Sequence, residues 1–447
     1  MTTRADPLRH LEAELRDLEE RSLLRIPPPP RPRLRDDSGD DGRSEPPVLL
    51  CSNDYLGYAA APWPERDLGA SEMTGAGASR LVAGEHMTHV EVERELASWL
   101  GVESALLFSS GYAANVGTLA AVARRGDVIL SDALNHASII DGARLSGAEI
   151  VVIPHRDTSA MERALERLST QRRGPTEASN RGSTAGAAAS DQRSPVGAAA
   201  SDQRSPVGAA ASDRGPPAGA RAVWVVTESY FSMDGDIPDL GALRALCDAH
   251  DAALYVDEAH ALGVFGPQGR GLCAEAGVRP DIFVGTFGKA LGLQGAFVAG
   301  TETLRRYLWN RARSFVFSTG MSPALSACLL RNIRRAIADD ASRERVHRIS
   351  SRLREAMRSA GISLPPDARG PILPWLVGPA SGALALSARL RDAGILVQAI
   401  RPPTVPPNTA RLRITATANL TDREVERACE SIQRAAAIWQ GQRDPAA

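Results

Sequence analysis

Between residues 100 and 300, short runs that are apolar at almost every position alternate with stretches whose apolar residues recur every three or four positions. The runs fall at 105–108, 128–130, 150–153, 222–226, 253–256, 282–284 and 296–299. A strand that is apolar throughout must be covered on both faces, so strands of this kind separated by helices predict a mostly parallel, seven-stranded sheet between helical layers. In such sheets ligands bind beyond the carboxyl ends of the strands. The chain is therefore expected to be an α/β protein with a large domain over 51–320.

The pattern differs at both ends and once in the middle. Leu8, Leu11, Leu15 and Leu18 recur at spacings of three and four, which draws an amphipathic helix in an N-terminal arm, 1–50, ending at the prolines 27–30. After residue 320 longer helical patterns (323–339, 342–360) precede strand-like runs at 373–377, 396–400 and 412–415, a smaller α+β domain over 321–447. Residues 171–219 interrupt the large domain with a true repeat: the segment from Gly186 to Val196 recurs unchanged at 197–207, a period of 11 residues. It carries almost no large apolar side chains and cannot offset its ordering entropy by burial, so it is expected to be a disordered insertion, with 35–47 similarly loop-like.

Composition narrows the class without choosing a function. A chain of 447 residues with 43% hydrophobic content can bury a large core. With 52 basic against 53 acidic side chains, net charge gives no reason to expect a nucleic-acid partner or an anionic membrane. No apolar run approaches the roughly 18 residues of a membrane span. Arg4, Asp6, Arg9 and Glu12 stand where an export signal needs its apolar core. Five widely spaced cysteines without a Cys-x-x-Cys pair suit a reduced, cytoplasmic protein.

Two short motifs carry the candidate chemistry. Lys289 closes Thr286-Phe-Gly-Lys289 at the end of one apolar run, and Val256-Asp257-Glu-Ala-His260 closes another. An amine and a carboxylate at neighbouring strand ends are what a pyridoxal phosphate site needs: one holds the aldehyde, the other keeps the ring nitrogen protonated. Singly each has a plainer reading, Lys289 as a solvated loop residue and Asp257 as a helix cap. Asp-Glu-Ala-His also marks a class of helicases, but the required phosphate loop is missing, since Gly288-Lys289 is followed by Ala290 and lies downstream of the box. Gly111-Tyr112 opens a helical stretch after the first run and offers free backbone N–H groups to a phosphate. His86, His89 and Glu91 form no convincing metal set, and no metal is expected.

Taken together with Ser52-Asn-Asp-Tyr-Leu-Gly57, Phe108-Ser-Ser-Gly-Tyr-Ala-Ala-Asn115, Leu134-Asn-His-Ala-Ser138 and Thr227-Glu-Ser-Tyr-Phe-Ser-Met-Asp-Gly-Asp236, these motifs make the chain resemble the α-oxoamine synthases. These are fold-type I pyridoxal phosphate enzymes that join an amino acid to an acyl thioester with loss of CO₂. The resemblance covers nearly the whole chain apart from the insertion. It implies that Lys289 holds the cofactor as a Schiff base and later serves as the Cα base, that Asp257 faces the ring nitrogen, and that His136 stacks on the ring beside the substrate. It further implies that His260, aided by Ser232, bonds the phenolic oxygen. Gly111, Tyr112 and Thr286 are implied to seat the phosphate, with Ser318 and Thr319 reaching it from the partner of a homodimer.

On the substrate side the resemblance assigns Arg413 to the amino-acid carboxylate, where a guanidinium fork suits better than an ammonium, and Asn53, Arg25 and Thr404 to substrate contacts. For Arg25 the plainer reading, a solvated charge at a helix end, has equal weight. The segments Ile400-Arg-Pro-Pro-Thr-Val-Pro406 and Thr409-Ala-Arg-Leu-Arg413 point to the branch that condenses L-alanine with a pimeloyl thioester, carried by CoA or by an acyl carrier protein. Sister enzymes that use glycine or serine with another acyl group stand as the alternative. A silent scaffold subunit is disfavoured by the presence of Lys289, Asp257 and Arg413 together. Gly75-Ala-Gly-Ala-Ser79 departs from the family's usual Gly-Ser-Gly-Gly-Ser, and Leu291 stands where an aromatic is frequent; both are expected to bear on substrate fit.

Overall fold

Each of the seven apolar runs is a strand, and the seven form one sheet. With β1 kept for the short strand Val48–Leu49, they are β2 (Ser104–Phe108), β3 (Val128–Asp132), β4 (Glu149–Ile153), β5 (Val223–Glu228), β6 (Ala253–Asp257), β7 (Ile282–Thr286) and β8 (Ala296–Gly300). The computed structural model describes residues 9–25, 46–60, 73–172 and 221–441; the 11-residue repeat and the prolines 27–30 lie outside them. The strand order is β2-β8-β7-β6-β5-β3-β4. Every pairing that does not involve β8 is parallel, and β8 runs antiparallel to both neighbours.

The first six α-helices are α1 (Arg9–Glu20), α2 (Met87–Leu100), α3 (Gly111–Val122), α4 (Ala137–Ser146), α5 (Thr158–Arg172) and α6 (Leu240–Ala249). Alternate residues of each strand point to opposite faces, so the sheet divides its apolar side chains between two layers. Leu107, Leu130, Val225 and Leu254 pack with Leu96 of α2, Leu165 of α5 and Leu243 of α6. Leu106, Ile129, Val226 and Tyr255 pack with Leu119 of α3 and Ile139 of α4. Each fully buried side chain of this size contributes roughly 1.5–3 kcal/mol. Gly285 in β7 is required by close packing, because a Cβ there would lie 2.4 Å from Cζ of Phe297.

Further along the chain, β9 (Ile372–Gly378), β10 (Ile395–Leu396), β11 (Gln398–Ile400) and β12 (Ala410–Thr415) surround another core with Leu386, Val425 and Ile432. The single run expected at 396–400 is split at Val397. β10 pairs in parallel with β1, whereas β11 joins the antiparallel sheet β11-β12-β9. Val48 and Leu50 belong to this core too, so the chain just before the first site motif is anchored on the C-terminal part.

The N-terminal helix is shorter than its leucine spacing suggested. α1 stops at Glu20, ahead of the prolines: Ser22 takes φ 56°, and the amides of Leu23 and Leu24 turn back to donate to Leu18 O at 2.7 and 3.0 Å. No helix among the described residues is long and apolar enough to cross a membrane.

Candidate active site

Glu228 ends β5, Asp257 ends β6, and parallel pairing sets them side by side. Lys289 lies in the turn after β7, where Gly288 N donates to Thr286 Oγ1 at 3.2 Å and Gly292 N to Lys289 O at 2.9 Å. It is the only lysine in the chain; the other 51 of the 52 basic residues are arginines. Burial pushes the Lys289 amine down from its ordinary range, the charges of Asp257 and Glu228 pull it back up, and Arg413 pushes it down again. Burial and the neighbouring Asp257 raise Glu228, which tends to keep its proton. Its Oε1 is buried without a partner among the described residues.

Asp257 serves two purposes. Its Oδ1 accepts from Ala259 N at 2.9 Å, the local cap that the plainer reading anticipates, while Oδ2 accepts from Asn115 Nδ2 at 2.7 Å. Asn115, on α3, also donates to Ser138 Oγ at 2.9 Å and accepts from the Tyr255 hydroxyl at 2.7 Å. Ser138 in turn holds His136: its backbone N–H reaches His136 Nδ1 at 3.2 Å, and its hydroxyl lies 2.7 Å from the same nitrogen. Thus one network fixes both Asp257 and His136. Burial lowers the basicity of His136, Asp257 acts against that, and Lys289 adds to it.

His260, three residues after Asp257, meets a different set. Its Nδ1 is 2.8 Å from the hydroxyl of Tyr55. Arg413 on β12 donates from Nη1 to Asn53 Oδ1 at 2.8 Å, from Nη2 to the Tyr55 hydroxyl at 3.3 Å, and from Nε to Ser232 O. Burial and the positive charges of Lys289, Arg413 and His136 hold His260 well below the ordinary imidazole range, so it is neutral. The Ser232 carbonyl thus helps to orient Arg413. Glu258, the acid between Asp257 and His260, is structural: its buried carboxylate accepts from Leu272 N at 3.0 Å and Cys273 N at 2.6 Å.

The N-terminus of α3 lies at the end of β2. Ser110 caps it by accepting from Ala113 N at 3.1 Å, which leaves the first-turn N–H groups of Gly111 and Tyr112 to an anion. Thr286 borders this end, since a Cβ on Gly111 would lie 3.8 Å from its Oγ1. Ser318 and Thr319 line a small cavity with Arg80, Phe108 and Ser109. Arg25 and Thr404 form a separate pair, Arg25 Nη2 donating to Thr404 Oγ1 at 2.9 Å, and Arg401 binds the carbonyls of Ser22 and Leu24 beside it.

One expectation about local fit changes. Leu291 is fully buried in the core beneath the sheet, so its difference from the usual aromatic is one of packing and not of substrate contact. His86 and His89 cap α2, with His86 N donating to His89 Nδ1 at 3.2 Å, and His89 Nε2 is 2.8 Å from Met321 O. No group of three metal-binding side chains occurs among the described residues. Reading the sequence missed Asn115, Ser138, Glu228 and Tyr55 as site residues. All four sit inside the motifs that carry the resemblance, and that was their only signal.

This arrangement suits pyridoxal phosphate. A solitary lowered amine, a carboxylate held by a neutral amide, a neutral imidazole and a capped helix N-terminus match the aldehyde, the ring nitrogen, the phenolic oxygen and the phosphate. The sequence model of the Aminotransferase class I and II family matches residues 45–432. Over 436 residues the chain is 39% identical to an 8-amino-7-oxononanoate synthase of Aromatoleum aromaticum, 96% of this chain and 98% of that one. A solved serine palmitoyltransferase from Sphingomonas wittichii superposes with a TM-score of 0.77 at 28% identity, covering 98% of this chain and all of that one. A structure of SPT with its pyridoxal phosphate internal aldimine gives a TM-score of 0.77 at 26% identity, over 97% and 99% of the two chains. The fold is that of a fold-type I pyridoxal phosphate transferase. Within that class, the chain belongs to the aminotransferase class I and II family, in its α-oxoamine synthase branch of pyridoxal phosphate-dependent acyltransferases.

Proposed function

We propose that this enzyme condenses L-alanine with a pimeloyl thioester, releasing CO₂ and the thiol of CoA or of an acyl carrier protein and forming 8-amino-7-oxononanoate for biotin synthesis. The observation that carries the reading is Lys289 in the turn after β7, next to β6, whose last residue Asp257 pairs with Glu228 at the end of β5. The roughly 40% identity to relatives named 8-amino-7-oxononanoate synthase supports the choice of branch.

Bound through Lys289, pyridoxal phosphate supplies an electron sink that stabilises negative charge on the amino acid's Cα. Asp257 would hold the proton on the ring nitrogen, with Asn115 keeping the carboxylate in line. His136 would cover the ring, and His260 would bond the phenolic oxygen. Gly111, Tyr112 and Thr286 would seat the phosphate, and Ser318 and Thr319 would reach that of the second subunit in a homodimer. Once displaced by alanine, the Lys289 amine is free to take the Cα proton, and its lowered basicity leaves more of it unprotonated near neutral pH.

Arg413 has five N–H groups and spends three on Asn53, Tyr55 and Ser232, leaving two for the alanine carboxylate. With the carboxylate so gripped, Arg413 would hold the α-carbon toward the thioester carbonyl, and Lys289 would return a proton to Cα once CO₂ has left. Asn53 would border the substrate through Arg413, and Arg25 with Thr404 would contact the acyl group. The wide spacing of the five cysteines, with no Cys-x-x-Cys pair, suits a cytoplasmic setting.

The test is turnover of purified enzyme with alanine, glycine or serine against acetyl-, pimeloyl- and palmitoyl-CoA, followed by thiol release. Preference for alanine with pimeloyl-CoA supports the assignment. Better turnover of glycine with acetyl-CoA, or of serine with palmitoyl-CoA, would move the enzyme to a sister activity.

A further inference from the structure

Tyr55 stands between Arg413 and His260, buried with none of its surface exposed. A phenol has one proton to give and two lone pairs to receive with. Arg413 can only donate, so its 3.3 Å contact occupies a lone pair of the Tyr55 oxygen. The proton then has two acceptors to choose from, His260 Nδ1 at 2.8 Å and Asn53 Oδ1 at 3.3 Å. Asn53 Oδ1 already receives Arg413 Nη1 at 2.8 Å. The shorter and less satisfied acceptor is His260.

That choice decides the chemistry of the other ring nitrogen. A neutral imidazole has a single N–H, and a nitrogen that accepts from Tyr55 leaves the proton to its counterpart. Nε2 of His260 has no protein partner among the described residues. As a donor it stabilises an oxygen carrying negative charge; as an acceptor it would set a lone pair against one.

We propose that Tyr55 is a positioning residue: by donating to His260 Nδ1 it places the proton on Nε2, so that His260 meets the cofactor's phenolic oxygen as a donor, and by accepting from Arg413 it joins that donor to the grip on the amino acid's carboxylate. What His260 and Arg413 touch rests on the function proposed above; the tautomer does not. Filling the Arg413 site is thereby linked to the hydrogen bond that His260 makes some way along the same chain of contacts.

The experiment takes both parts separately. In ¹⁵N-labelled protein without cofactor, long-range ¹H–¹⁵N correlations distinguish the two tautomers, and His260 is identified among the eight histidines by the signals lost in His260→Gln. Wild type is expected to carry its proton on Nε2 alone, with Tyr55→Phe showing a mixture or the reverse. A wild-type proton on Nδ1 overturns the proposal, even if the variant fails to fold. With pyridoxal phosphate bound, Tyr55→Phe should shift the pH dependence of the visible absorption and weaken alanine binding by about tenfold, the loss expected when one hydrogen bond to a charged group is removed. An unchanged spectrum and affinity overturns the coupling. If wild type shows no visible band and no response to alanine, the functional reading fails, and the tautomer measurement still judges Tyr55.

Discussion

Glu228 and Asp257 are the last residues of adjacent parallel strands, directly paired, and both carboxylates act on the same buried amine, Lys289. Two buried carboxylates side by side resist both being ionised, and Glu228 is the one pushed toward its protonated form. Asn115 holds the Asp257 carboxylate in place from α3, donating to its Oδ2 at 2.7 Å.

Lys289 makes the cofactor assignment unusually easy to check, because no other lysine can compete. Borohydride reduction of protein saturated with pyridoxal phosphate is expected to fix the cofactor's mass on the one peptide that contains Lys289. Lys289→Ala should take up none there, lose the visible band and lose turnover. Mass spectrometry of the reduced digest decides it; cofactor trapped only at the N-terminal amine, or nowhere, would remove the enzyme from this class.

A second prediction concerns His155. Its Nδ1 lies 2.9 Å from Asp132 Oδ1 and its Nε2 2.9 Å from Asp236 Oδ2, tying the end of β3 to the segment that carries Ser232. Burial opposes its charge, but these two acids dominate and raise His155 from 6.5 to about 9. A pKa raised on folding means that the folded state binds the proton more tightly. The stabilisation is then complete below about 6.5 and disappears as pH climbs through about 9. The melting temperature of wild type relative to His155→Gln should accordingly fall across that window. A difference that stays flat with pH would show that His155 is not held as the cation.

How much of this was legible in the sequence depended on whether a residue's role is set by its own type or by a distant partner. Six of the seven strands were readable because they are buried on both faces and so almost wholly apolar; β4, at the sheet edge and largely exposed, was readable only from its own apolar run over 150–153. The split at Val397 was not, because it is set by the partners that β10 and β11 find, β1 and β12, which lie far off in the chain. Lys289 and Asp257 announced themselves by chemistry and motif. Tyr55 did not: a buried tyrosine is ordinarily core, and its meaning comes from Arg413, 358 positions away. Asn115 likewise acquires its role only through its hydrogen bond to Asp257, 142 positions along the chain.

Arg413→Lys is the third test. Three of the five guanidinium N–H groups hold Asn53, Tyr55 and Ser232, and the remaining two fit one carboxylate. An ammonium has three donors and no fork, so it cannot satisfy these neighbours and the substrate together. The alanine KM is expected to rise by at least about tenfold, with the thioester KM little changed. Equal increases in both would point to general disturbance of the site and against a carboxylate grip.

Arg25 and Thr404 offer the last test, because they touch each other at 2.9 Å and both are assigned to the acyl substrate. Residues 22–25 are held against the 401–404 turn by Arg401, which binds the carbonyls of Ser22 and Leu24, so either single change leaves that turn supported. Thr404→Val removes the acceptor for Arg25, and Arg25→Gln removes the donor. Each should raise the thioester KM by a few fold while sparing the alanine KM, consistent with an exposed hydrogen bond of about 1 kcal/mol. If the pair acts as a unit, the double variant should be hardly worse than either single one, since residues in direct contact do not contribute additively. A multiplicative loss in the double variant would mean that the two residues meet the acyl group independently. No effect on the thioester KM in any of the three variants would remove this pair from the substrate path.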